Sequence, residues 1–288
     1  MRRVAPALLL AALLAACGTS KTDTTPEPSG SGVNVLVTAD WGRTKLIEGT
    51  GPAGSVLAAT QAVTPTETSY GGRYVSSLAG EAGDGAREWV FWLNGIESPV
   101  GAADVKARAG DRVWWDLHLW AGRTHVPAIV GQWPAPLADG ATADPTAAKA
   151  LAAAGVDATT PATTSGPRAI VGASDELAQR DPTWRAALAD PERAGLTAWF
   201  AKGRIVVWDA AAAKAVTVPK ATAIVVATTD GFDSTGAPVV VIAGRTAADA
   251  EAAAAALAAN PQLPQRHVAI CLDGDGLIAC SGGQGLTL

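Results

Sequence analysis

The residues of this sequence best suited to chemistry are indoles set among polar neighbours. Trp89-Val90-Phe91-Trp92-Leu93-Asn94-Gly95 is followed by a polar loop and then by Gly110-Asp111-Arg112-Val113-Trp114-Trp115-Asp116-Leu117-His118-Leu119-Trp120. Side chains along a strand alternate between its faces. Trp114, Asp116, His118 and Trp120 therefore share one face, and Val113, Trp115, Leu117 and Leu119 the other. In the first run Val90, Trp92 and Asn94 oppose Trp89, Phe91 and Leu93. The apolar faces belong in a core. The mixed face of Trp92, Trp114, His118 and Trp120, joined by Tyr74, suits a half-exposed surface for an amphiphilic ligand, since an indole offers a broad stiff plane and one donor. The competing reading is a second packing face covered by a neighbouring domain. Asp116, His118 and His125 are metal-ligating types, but they lack tight ligand spacing, so no metal site is expected.

Cysteine carries the second kind of chemistry. If Asp275-Gly276 forms a two-residue turn, Cys271 faces Cys280 as a non-hydrogen-bonded pair with Cα atoms about 4.5 Å apart. That distance permits a disulfide, which export would favour; two buried free thiols are the rival reading. Asp273-Gly274-Asp275-Gly276 is like a calcium loop, but Gln284 stands where a bidentate Glu is needed, so no calcium is expected. Val239 to Thr246 runs from a strand into a helix start without a Gly-rich phosphate fingerprint, which points to an ordinary capped turn. There is no Gly-x-Ser-x-Gly elbow and no His-Glu-x-x-His. A non-enzymatic protein without a cofactor is the expectation.

The indole-rich stretch resembles the transcobalamin-like C-terminal domain, which bacterial lipoproteins also carry. The resemblance rests on Gly72-Arg73-Tyr74-Val75-Ser76-Ser77-Leu78, Trp89 to Gly95, Val100-Gly101-Ala102 and Gly110 to Trp115, and spans about residues 33–120. It implies a β-grasp-like sheet holding one helix, and a corrinoid such as cobalamin as ligand. Transcobalamin-type carriers add a helical barrel that nothing here resembles. The rest of the grip would have to come from the second domain, a membrane transporter or another copy.

The N-terminus gives the setting. Arg2-Arg3 precedes an apolar run from Val4 to Ala16, too short to span a bilayer and shaped like an export signal. Leu14-Ala15-Ala16-Cys17 resembles the bacterial lipobox, which implies cleavage before Cys17 and lipidation of its thiol. An ordinary signal or a buried helix is the alternative. Residues 1–17 are thus read as a lipoprotein signal and 18–32, rich in Pro, Gly and Ser, as a tether. The protein is expected at the extracytoplasmic face of the bacterial envelope, anchored through lipid.

The elements that must position these residues follow. Strands are expected over Val33–Thr38, Lys45–Glu48 and Tyr74–Leu78, and a helical turn or two after a Ser55 cap. Residues 33–121 form the first domain and 122–165 a connector containing a helix from Pro145, with Asp144 as cap and Gly155 as stop. Residues 166–288 alternate strand and helix as a small α/β domain, so the fold class is α+β. Seven of the ten tryptophans lie between Trp41 and Trp133, which puts the aromatic weight in the first half. A net charge of −5 gives no electrostatic case for nucleic acid. The functional expectation is a surface lipoprotein binding a small amphiphilic ligand for uptake; the alternative is a non-catalytic module for another envelope protein or a glycan.

Overall fold

The computed structural model describes residues 32–119, 123, 125–209, 213–274 and 276–280. Cys17, the expected export signal, nearly all of the expected tether and Trp120 lie outside the described residues. The chain mixes α and β structure, and among the described residues no helix is long and apolar enough to cross a membrane.

The first half is built on a five-stranded sheet. Its strand order is Thr44–Gly51, Val33–Ala39, Arg112–Leu119, Arg87–Leu93, Ile96–Glu97, with the second and third strands parallel. The two indole-rich strands pair antiparallel, with Trp114 opposite Trp92 and Trp115 opposite Phe91. Val33, Val35, Val37, Val113, Trp115 and Leu117 point to one side, where the Val56–Val63 helix covers them. Ser55 caps that helix through its side chain, and the helix locks onto the sheet where Trp115 Nε1 donates to Thr60 Oγ1 at 2.9 Å.

The second half is a seven-stranded sheet in the order Ala158–Thr159, Ala141–Ala143, Arg168–Ala173, Pro238–Gly244, Ala221–Thr229, Ile270–Asp273, Gly276–Ala279. The first four strands are parallel and the rest antiparallel. Both faces are covered, which is why Val239-Val240-Val241-Ile242 reads as an unbroken apolar run. Helices Pro145–Ala153 and Ala247–Ala259 lie on one face, and Ser174–Arg180, Pro182–Ala189 and a small three-stranded sheet on the other. The stretch read as a connector therefore supplies two strands and a helix to this sheet.

Local chemistry explains most of these boundaries. Thr246 and Asp249 form a reciprocal capping box at the Ala247–Ala259 helix. Asp144 precedes the Pro145 helix but does not cap it through its side chain; it accepts instead from Val171 N at 2.8 Å and pairs with Arg180. Arg168 is fully buried at the start of its strand, held by Asp181 at 2.8 Å and Asp230 at 2.9 Å. Cys271 and Cys280 do form a disulfide, with Cα atoms 5.4 Å apart. The expected register is shifted by two residues: Asp273 pairs with Gly276 and Cys271 with Ile278, so the cysteines are diagonal neighbours.

The two sheets meet along a close seam. Residues 126–131 form no strand; they make one bridge, Ala128 to Ile96, before a short 3-10 turn over Val130–Gln132. Ile129 N donates to Gly95 O at 2.9 Å and Glu97 N to Pro127 O at 3.1 Å. A Cβ on Gly131 would lie 2.6 Å from the Trp114 ring and 2.9 Å from the His267 carbonyl oxygen. The seam closes because that side chain is missing. Gly131→Ala is expected to destabilise the chain by about 1–3 kcal/mol through overpacking, read as an earlier midpoint in urea unfolding; an unchanged midpoint would mean that the seam is loose.

Candidate functional site

The mixed indole face is not half-exposed. Trp92 and Trp114 are 1% and 0% exposed, and His118 is buried with them. Trp41, Val126, Ile129 and Val268 complete the cluster, so the face is covered by the second half of the chain. The energetics favour this. One indole buries roughly 200 Å², worth about 5 kcal/mol at 25 cal/mol/Å², and leaving two in water would rival the whole stability of a domain.

The polar groups of this face are spent on one another. Asp116 accepts from Thr38 Oγ1 at 2.5 Å, Trp41 N at 2.9 Å and Gly42 N at 2.8 Å, and faces His118 Nδ1 at 2.9 Å. Trp114 Nε1 donates to Thr38 Oγ1 at 2.6 Å and Trp92 Nε1 to the Val126 carbonyl at 2.8 Å. Trp41 stacks on the His118 ring with centroids 3.7 Å apart. Successive positive φ values at Asp40, Trp41 and Gly42 aim two adjacent N–H groups at the Asp116 carboxylate. Asp116 and His118 thus form a structural polar core. His125 lies elsewhere, 2.7 Å from Glu97 and 3.2 Å from the Phe232 carbonyl, and the described residues contain no metal-binding group of three ligands.

Tyr74, placed with these indoles by the sequence reading, is separated from them by the sheet. It is 39% exposed and borders a groove of about 400 Å³ on the helix-bearing side. Trp89, Phe91 and Trp115 lie along this groove, Val100 stands at its rim 51% exposed, and Arg73, Glu97 and Ser98 add polar groups. The Gly101 backbone presses on that of Arg73, where a Cβ would meet the carbonyl oxygen at 2.4 Å. This contact holds the Ser98–Ala102 loop against the Tyr74 strand and shapes the opening. Trp89 and Val100 were missed as site residues: Trp89 sits on the face read as core, and a lone valine in a loop carries no sequence signal. Tyr70, 83% exposed and at positive φ, projects from the adjoining turn.

Two histidines respond to the seam in opposite senses. The Glu97 hydrogen bond raises the His125 pKa above its ordinary 6.5, against partial desolvation, with the Phe232 carbonyl and Asp233 assisting. His125 therefore adds stability at pH values below about 6.5, and this fades as pH rises through its raised pKa. Its partial exposure keeps the effect small. Burial, with Arg266 adding repulsion, lowers the pKa of His267 to about 4. Its folded form resists protonation, so stability should fall by roughly 3 kcal/mol as pH drops from about 6.5 to about 4. His267→Gln should flatten that acid limb in pH-dependent urea unfolding; a limb of unchanged slope would remove His267 as its cause. Asp116→Ala should cost about 3 kcal/mol by orphaning buried donors, and Asp116→Asn, which keeps an acceptor, less. Equal losses in the two variants would contradict the acceptor role.

No curated protein matches this chain. Residues 53–118, which span the Val56 helix, the groove and both indole-rich strands, match the family described as Domain of unknown function (DUF4430), the family associated with transcobalamin-like domains.

Proposed function

We propose that this chain is a lipid-tethered protein of the bacterial envelope whose first, β-grasp-like domain captures a small amphiphilic molecule for uptake. The observation that carries the reading is the groove between Tyr74 and Val100. These two are large apolar side chains left in solvent beside an aromatic floor, in a chain that buries its other indole-rich face. The arrangement suits a flat or branched apolar body, with the exposed Arg73 available to its polar edge. A corrinoid fits this chemistry as a ligand lying across the opening. The groove is shallow for so large a molecule, so a single wall would give only modest affinity, and a transporter or second copy completes the enclosure. Lipidation at Cys17 would supply the membrane contact, each buried methylene contributing about 0.8 kcal/mol.

The exposed Tyr70 favours a second reading, in which the same edge of the domain meets another envelope protein or a glycan. Titration of cobalamin into protein starting at residue 18 separates the two. Under the first reading, fluorescence from Trp89 and Trp115 is quenched beyond the inner-filter effect and the corrin spectrum shifts. Tyr74→Ala with Val100→Ser should weaken this about tenfold, corresponding to roughly 1.4 kcal/mol, while leaving the unfolding midpoint nearly unchanged. Absence of quenching and spectral shift at high micromolar cobalamin would remove the corrinoid, and indifference of every tested amphiphile to the Tyr74 and Val100 changes would remove the groove. In the second reading Tyr70→Ser abolishes partner capture, with no small-molecule signal to lose.

A further inference from the structure

The cover over the indole-rich face stops short at one end. Beyond Trp114, between the first sheet and the Gly131-Gln132 turn of the second half, lies a pocket of about 190 Å³. Asn34, Glu48, Arg112, Gln132 and Gln265 bring polar and charged groups to it from both sides of the seam. The strand register explains the gathering. Asn34 lies beside Arg112 and Leu36 beside Glu48, so the two charged side chains come from strands flanking the same central one.

Arg112 is the unusual member. It is half-buried, and its guanidinium donates from Nη1 to the Trp133 carbonyl at 3.1 Å. Among the described residues no carboxylate lies within ion-pair reach of it. Burial alone acts on its pKa and lowers it. Arg168, also withdrawn from water, contrasts with it through two aspartates that offset its desolvation. A guanidinium has five N–H donors in a planar fork suited to a carboxylate, and a partly desolvated cation without an anion is costly. The Arg112 end of the pocket is thus short of one anion.

The strand on the other side of the central one limits which anion fits. Glu48 brings a negative charge, shared with Lys45 at 3.1 Å on the outer, solvated side. A doubly charged phosphate would meet that carboxylate, whereas the ammonium of a zwitterion would be attracted to it. Gln132 and Gln265 are neutral amides, and the volume lies below that of pockets for drug-sized ligands. We infer that this pocket between the two sheets binds a small zwitterionic carboxylate of the free amino acid class, with Arg112 taking the carboxylate and Glu48 the ammonium. This site is separate from the Tyr74 groove and stands whether or not the groove binds a corrinoid.

Calorimetric titration of the full chain in detergent with L-alanine, propionate and ethylammonium tests the assignment. Alanine should bind, propionate at least several-fold more weakly, and ethylammonium not measurably. Arg112→Gln should weaken alanine binding by roughly tenfold or more, the loss of a charge-assisted hydrogen bond. Glu48→Gln, at a solvated edge strand where folding is not at stake, should bring alanine down to the affinity of propionate. Tyr74→Ala should change nothing here. The inference is overturned if alanine gives no heat at about ten millimolar, if propionate binds as well as alanine, or if Glu48→Gln leaves alanine binding unchanged.

Discussion

The fold depends on one buried carboxylate. Asp116 collects a hydroxyl, two consecutive backbone N–H groups and an imidazole, all away from water. An ion this deep is tolerated only when its acceptor sites are filled, and filling them requires the left-handed Asp40–Gly42 turn. That turn puts Gly42 where a Cβ would be 2.0 Å from the Arg266 carbonyl oxygen, so the second half of the chain can settle directly onto the first. It also lays Trp41 flat on His118. A local electrostatic requirement is thereby converted into the packing between two sheets.

Much of this was legible in the sequence because strand alternation is a local property. The period-two pattern separated Val113, Trp115 and Leu117 from Trp114, Asp116 and His118, and the observed cores keep that separation. Helix starts at Ser55 and Thr246 were equally local, since each cap lies within three residues of the N–H it satisfies. What covers a face is non-local. Trp114 is sealed by Gly131 and by the backbone of residues 266–267, segments far along the chain with no strong pattern of their own. Reading an Asp- and His-bearing face as solvated was reasonable by composition and wrong by topology, because the polar atoms satisfy one another inside the seam.

The same distinction divides the sites. The sequence grouped Tyr74 with Trp92 and Trp114, but its strand belongs to a separate three-stranded sheet on the helix-bearing side, away from those indoles. The Glu97–His125 pair and the Arg112 pocket had no signature, because their members come from segments brought together only by docking. The cysteine bridge was legible in pairing and not in register; a two-residue shift along the partner strand exchanges a directly opposed pair for a diagonal one. Either geometry keeps the sulfur atoms in reach, which is why the pairing survives the register change.

That bridge has an analytical consequence. The sequence has three cysteines, and Cys271 and Cys280 are joined to each other. In the oxidised chain any reactivity toward a maleimide therefore reports on Cys17 alone. The labelled fraction becomes a direct measure of molecules whose first cysteine is a free thiol, without recourse to mass or mobility.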